Sequence, residues 1–155
     1  MDLSDFPALV GAFLLGPGAG VAIEFVKNAL QLFSTSTGGV GELANFLMGG
    51  AFVLTAGLCC RRRGTKRAAW LACGAASLVM GCVAAAVNYW LLLPLFEQFL
   101  PLDQLIASFG QWIPFIRTKL DVVLYNALPF NLLKGLAISV VTMLIYPKFP
   151  QTLRR

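Results

Sequence analysis

Histidine is absent from this chain of 155 residues, and charged residues make up only 12% of it. Without histidine, the usual zinc sites and the Ser–His and Cys–His catalytic pairs lose an essential partner. The four cysteines form no CxxC motif and are interpreted as small packing residues within apolar helices. No paired carboxylates and no nucleophile–base set appear, so an enzyme is the least supported class of function.

The sequence also has too few polar residues to cover the surface of a soluble protein. Hydrophobic residues make up 58% of the chain and the mean hydropathy is +0.77. A soluble domain carries roughly 25% charged residues, about twice the fraction found here. No series of alternating ten-residue segments, typical of a transmembrane barrel, is present. We therefore predict an all-α integral membrane protein that forms a single domain over residues 1–155.

The net charge of +5 is concentrated in two short segments. One is the basic segment 61–67, and the other is the C-terminal tail that ends in Arg154 and Arg155. Short cytoplasmic loops of membrane proteins collect Lys and Arg, so both segments are predicted to be cytoplasmic. This placement indicates that the basic segments set the orientation of the protein in the membrane and do not bind nucleic acid. Contact with anionic membrane lipid stays open as an alternative.

Loop signals divide the apolar sequence into five predicted helices, at about 6–16, 18–33, 42–60, 67–96 and 129–146. The first is short for a span of about 20 residues. The sequence Gly-Pro-Gly-Ala-Gly at 16–20 is a strong breaker, so 6–33 is interpreted as a tight helical hairpin rather than one helix. Residues 61–67 form a basic cytoplasmic loop in this interpretation. Residues 97–128 form a long external loop with one or two interfacial helices.

Polar side chains recur at three- or four-residue spacing inside these apolar runs. Ionisable and amide groups are costly in a bilayer and are normally kept there for function. The spacing places each set on one helix face, and several such faces turned inward would line a pocket for a polar solute. The predicted substrate-binding residues are Asn28, Gln31, Glu42, Asn45, Asn88, Tyr89, Asn126, Asn131 and Lys134.

Simpler roles stay open for several of the polar residues. Glu24 and Lys27 are three residues apart and are predicted to form a structural ion pair that neutralises both in lipid. Glu42 stands at the start of its helix, where a carboxylate complements the helix dipole. Lys134 lies about one turn inside its span, from which it can reach the outer headgroups.

Several segments resemble the riboflavin-specific S component of energy-coupling factor (ECF) transporters. They are DLSDFPALVGAFLLGPGAGVAIEFVKN at 2–28, GELANFLMG at 41–49, NYWLLLP at 88–94, YNALPFNLLKG at 125–135 and YPKF at 146–149. The resemblance covers nearly the whole chain in order, and the GELANF and PFNLLKG segments are its most specific parts. It places Asn131 and Lys134 in the family's ligand-binding segment.

The resemblance implies a six-helix bundle with both termini in the cytoplasm. This chain resembles helices two to six, so the first helix of the family would lie before Met1. A true five-helix protein is the alternative. The implied location is the cytoplasmic membrane of a prokaryote, with several spans and a cytoplasmic C-terminus.

The resemblance also implies a function that is not enzymatic. An S component binds riboflavin as a transported ligand, without a cofactor, and docks on a transmembrane coupling protein with two ATPase subunits. The chain has no GxxxxGK[ST] motif, so ATP hydrolysis would come from those partners. Two alternatives remain, namely an S component for another vitamin and a non-transporting membrane scaffold protein. Asn45, Asn131 and Lys134 favour a flavin over a cationic ligand such as thiamine.

Overall fold

The computed structural model describes residues 4–35, 38–61, 66–98, 101, 104, 106–107 and 116–145. Most of the predicted basic loop, much of the predicted external loop and the tail with YPKF lie outside the described residues. The described residues are helical with short turns, and they contain no strand.

Helices follow one another along the whole described chain. They are α1 (Phe6–Leu14), α2 (Pro17–Gln31), α3 (Val40–Arg61), α4 (Lys66–Val87), α5 (Leu93–Phe96), α6 (Lys119–Val122) and α7 (Leu128–Ile145). A 3₁₀ turn at Leu32–Ser34 extends α2. Two π-helical turns, Asn88–Leu92 and Val123–Ala127, join α4 to α5 and α6 to α7.

Within the described ranges, three continuous helices are long and apolar enough to cross a membrane. They are Val40–Cys60, Arg67–Phe96 and Lys119–Ile145. Helices α1 and α2 have 9 and 15 residues, so each is shorter than the about 20 residues that a perpendicular span requires. The all-α membrane architecture is therefore observed in the described residues, whereas the number of five crossings stays a prediction.

Helices α1 and α2 form a hairpin around Gly16 and not one helix over 6–33. Gly16 has φ 104°, in the left-handed region that favours glycine, and Pro17 opens α2. The two helices then approach very closely, because a Cβ atom on Gly20 would lie 2.9 Å from the Ala8 carbonyl oxygen. This packing sets α2 against the rest of the bundle with its polar face inward.

The last long helix begins at Lys119 and not near 129, so the predicted external loop is helical over its final residues. Thr118 and Asp121 form a capping box that starts the helix. Pro129 then lies inside the helix, two residues after the end of the π-turn Val123–Ala127. Proline removes one backbone donor and crowds the carbonyl four residues earlier, and a π-turn at that carbonyl accommodates both effects. Pro94 follows the other π-turn in the same way.

The bundle has an apolar exterior and buries several polar side chains within an apolar core. Helix α3 lies between α2 and α4, α7 packs on α4, and α1 contacts α2, α3 and α7. Phe52, Met80 and Ile138 are fully buried between these helices, together with a group of charged and amide side chains. Large apolar side chains such as Phe33 and Trp90 are strongly exposed. An apolar exterior around a partly polar interior fits a lipid environment.

Candidate functional site

A cavity of about 570 Å³ lies where α3, α5 and α7 meet the two π-turns. This volume is within the range of about 300–1,000 Å³ that is typical of small-molecule sites. Its apolar wall includes Met48, Leu92, Phe96 and Phe130. Five of the nine predicted binding residues line it, namely Asn45, Asn88, Asn126, Asn131 and Lys134.

A second, more open chamber of about 390 Å³ adjoins the main cavity and shares Gly41 and Asn45 with it. Two more predicted residues, Gln31 and Glu42, line this chamber together with Ser34. The Glu42 carboxylate accepts a hydrogen bond of 2.9 Å from the Thr35 hydroxyl. The two chambers together offer an apolar compartment and a polar extension beside it.

The remaining two predicted residues lie elsewhere. Asn28 is buried behind the wall of the main cavity, where its amide oxygen accepts a hydrogen bond of 2.9 Å from the Asn45 amide. Tyr89 packs edge-on against Trp90, with ring centroids 5.5 Å apart, and against the apolar cluster around Leu93. Tyr89 is not among the cavity-lining residues that the structure describes.

The π-turns bring two of the asparagines to the cavity wall. Asn88 opens the first π-turn and Asn126 lies in the second, and both line the main cavity. A π-turn inserts one residue into a helix and so rotates the side chains that follow relative to those before it. These two turns therefore set which side chains the long helices present to the cavity.

Asn88 and Asn131 each use their amide N–H groups on their own helix. The Asn88 amide donates to the Ala84 carbonyl at 2.8 Å, and the Asn131 amide donates to the Ala127 carbonyl at 2.9 Å. Neither Oδ1 atom accepts a hydrogen bond from any other residue that the structure describes. These two carbonyl oxygens are therefore fixed in orientation and available to a donor on a ligand.

Behind the cavity wall, six polar side chains form a closed ring of contacts. The members are Asp5, Glu24, Lys27, Asn28, Asn45 and Lys134. The predicted pair of Glu24 and Lys27 is part of it, with 2.8 Å between the carboxylate and ammonium atoms. The ring joins the α1–α2 hairpin to α3 and α7, so it connects elements that are distant along the chain.

Lys134 belongs to both the ring and the cavity. Its ammonium nitrogen lies 2.8 Å from Asp5 Oδ2 and 3.1 Å from Asn45 Oδ1. Asp5 also contacts the ammonium group of Lys27 through its other oxygen. The two carboxylates, Asp5 and Glu24, balance the two lysines, which is how such charges are tolerated in an apolar interior. The alternative in which Lys134 reaches the outer headgroups is not observed, because this side chain is buried.

Asp5 is the ring member that the sequence pattern does not reveal. It precedes α1 and lies outside the apolar runs, so helical spacing gives no signal for it. It is nevertheless fully buried. Charge balance gives no signal for it either, because Glu24 and Glu42 in the apolar runs already equal Lys27 and Lys134 in number.

Comparisons with known proteins address the family of this chain. The sequence profile of the family "ECF transporter, substrate-specific component" matches residues 1–146. The chain is similar to riboflavin transporter RibU of Staphylococcus aureus (strain TCH60), with 33% identity over all of this chain and 77% of that protein. It is also 33% identical to riboflavin transporter FmnP of Bacillus subtilis (strain 168), over 96% of this chain and 75% of that protein.

A solved structure supports the same relationship. It is the S component of a bacterial ECF transporter, with a TM-score of 0.77 and 30% sequence identity, over 100% of this chain and 80% of that one. The match extends over the helices that build the cavity and the ring. The chain therefore belongs to the family of substrate-specific components of ECF transporters.

Proposed function

We propose that this chain binds riboflavin and serves as the substrate-specific subunit for its uptake across the cytoplasmic membrane. The observation that carries the proposal is the main cavity, in which Lys134 and four asparagines are set into an otherwise apolar wall. Riboflavin has a flat amphipathic ring with polar atoms along one edge and a polyol tail. A site for it needs apolar faces for the ring and a few fixed polar groups for its edge.

The polar groups of the cavity supply both kinds of hydrogen-bonding partner. Lys134 donates, and the Oδ1 atoms of Asn88 and Asn131 accept. A flavin ring edge alternates carbonyl oxygens with an N–H group, so it requires both kinds. Asn45 and Asn126 complete this wall in the proposal, while Gln31 and Glu42 in the adjoining chamber bind the polyol hydroxyls.

Transport requires energy that this chain does not provide, because its sequence has no phosphate-binding GxxxxGK[ST] motif. We propose that a transmembrane coupling protein and two ATPase subunits supply it, as the family implies. The cavity then opens to the external side, and the C-terminus is cytoplasmic, as the basic segments indicate. Membrane lipid covers the exposed apolar side chains.

The direct test is a titration of the detergent-purified chain with riboflavin, followed by tryptophan fluorescence. Trp90 lies on the π-turn that also carries Asn88, so a flavin in the cavity should quench its emission. The expected result is saturable quenching at submicromolar riboflavin and none with thiamine. Quenching by thiamine alone would indicate a different vitamin, and no saturable response to either ligand would contradict the proposal.

A further inference from the structure

We infer that Asp5 is a positioning residue of the ligand site, which holds the ammonium group of Lys134 at the wall of the main cavity by an ion pair. Asp5 is outside the cavity wall, fully buried and held between two lysines. Its effect on the ligand is therefore exerted through Lys134. The inference rests on the proposed function, because riboflavin is the probe that tests it.

The geometry of the Lys134 ammonium supports this role. An ammonium group has three N–H donors, and it rotates freely about its last carbon–nitrogen bond unless its partners fix it. Asn45 Oδ1 at 3.1 Å accepts one of the three donors, and Asp5 Oδ2 at 2.8 Å holds the nitrogen by an ion pair without forming a hydrogen bond. The ion pair and the hydrogen bond together fix the position of the nitrogen, and the hydrogen bond to Asn45 leaves donors for the cavity side. Lys134 lines the cavity, where a ligand acceptor can receive that donor.

Asp5 is itself held in place by the rest of the ring. Lys27 contacts its other oxygen, and Lys27 is in turn 2.8 Å from Glu24. Glu24 accepts a hydrogen bond from Asn28, which binds Asn45, the second partner of Lys134. The closed path leaves Asp5 little freedom to move away from Lys134. Preorganised donors of this kind lower the cost of binding because they are ordered before the ligand arrives.

The ring offers a matched pair of variants that separates positioning from charge balance. Asp5→Asn and Glu24→Gln each remove one negative charge from the same ring and keep the size of the side chain. Asp5 contacts Lys134, whereas Glu24 contacts Lys27 and Asn28. If the carboxylates only balance charge, both variants should lower the thermal stability and change the riboflavin affinity alike.

The expected result is a split between stability and affinity. Both variants should lose a similar amount of thermal stability in detergent, measured without ligand. Asp5→Asn should raise the Kd for riboflavin by about 30-fold, and Glu24→Gln by no more than about threefold. Equal changes of Kd in the two variants would overturn the inference while leaving the proposed function intact.

A second variant keeps the test decisive if Asp5→Asn alone does not fold. In Asp5→Asn/Lys27→Met the ring again carries one positive and one negative charge, on Lys134 and Glu24. We expect this double variant to remain folded and still bind riboflavin about 30-fold more weakly than wild type. Wild-type affinity in the double variant would overturn the role of Asp5, and failure of the wild-type chain to bind riboflavin would overturn both proposals.

Discussion

At the scale of single residues, Lys134 is the side chain on which ligand affinity should depend most. Lys134→Met keeps the length and burial of the side chain but removes the donor in the cavity wall. Loss of one hydrogen bond from a charged donor costs about 2 kcal/mol, which is about 30-fold in Kd. The riboflavin titration by tryptophan fluorescence measures this change.

Lys27 provides the matched control for this prediction. Lys27→Met removes the other ammonium group of the same ring, but Lys27 is not among the described residues that line the cavity. Its Kd for riboflavin should stay within a few-fold of wild type, although its stability falls. A larger loss of affinity in Lys27→Met than in Lys134→Met would contradict the assignment of Lys134 to the site.

The fixed amide oxygens give a second prediction at this scale. Asn131→Leu should weaken riboflavin binding by about tenfold, because it removes an acceptor oriented by the Ala127 carbonyl. Ser139→Ala on the same helix is the control, since Ser139 is buried and donates to the Gly135 carbonyl away from the cavity lining. Isothermal titration calorimetry on both variants measures the difference, and equal affinities would argue against Asn131 as a ligand contact.

The pairing of Asn131 with Lys134 was predictable from the sequence, but their partners were not. Three-residue spacing puts both on one face of a helix, and their cost in lipid marks that face as polar and inward. Asp5 shows the limit of such reasoning. It is far from Lys134 along the chain and becomes its neighbour only because the α1–α2 hairpin packs against α7. Such a contact depends on tertiary packing, which local periodicity does not encode.

At the scale of elements, the α1–α2 hairpin should be sensitive to the size of one residue. A Cβ on Gly20 would lie 2.6 Å from the Ala12 Cβ and 3.1 Å from its Cα. Backbone atoms cannot move aside without separating the helices, so Gly20→Ala should destabilise the fold by about 1–3 kcal/mol. The midpoint of thermal unfolding in detergent should fall accordingly.

Gly18, in the same helix, is the control for this prediction. A Cβ there meets no atom within 4 Å. Because alanine favours a helix over glycine by about 1 kcal/mol, Gly18→Ala should leave the midpoint unchanged or raise it. If both variants unfolded at the wild-type temperature, the close approach of α1 and α2 would not be essential to the fold.

Element boundaries were predictable where glycine and proline act as breakers, and less so where proline stays inside a helix. Gly-Pro-Gly-Ala-Gly indicated the hairpin, because Gly16 supplies a positive φ and Pro17 starts a helix well. Pro129 was interpreted as the start of the last span, yet the helix continues back to Lys119. The π-turn before Pro129 makes this possible, and no local pattern distinguishes such a turn from an ordinary end of a helix.

At the scale of the whole molecule, the polar ring and the cavity depend on each other. The ring connects the hairpin, α3 and α7 through charges that would be costly in lipid if they separated. Two of these elements, α3 and α7, also line the cavity together with α5 and the two π-turns. Correct assembly of the bundle and formation of the binding site should therefore be one event, and a bound ligand should stabilise the fold by mass action.

The last prediction separates binding from transport. The purified chain should bind riboflavin with the same Kd in the presence and absence of ATP, because the described cavity lining belongs to this chain and its sequence has no nucleotide motif. Proteoliposomes that contain this chain alone should not accumulate riboflavin against a gradient. Addition of the coupling protein and its two ATPases should make accumulation depend on ATP. Accumulation against a gradient by the chain alone would show that it carries its own energy coupling. The proposal that this chain only binds riboflavin, while its partners supply the energy, would then be wrong.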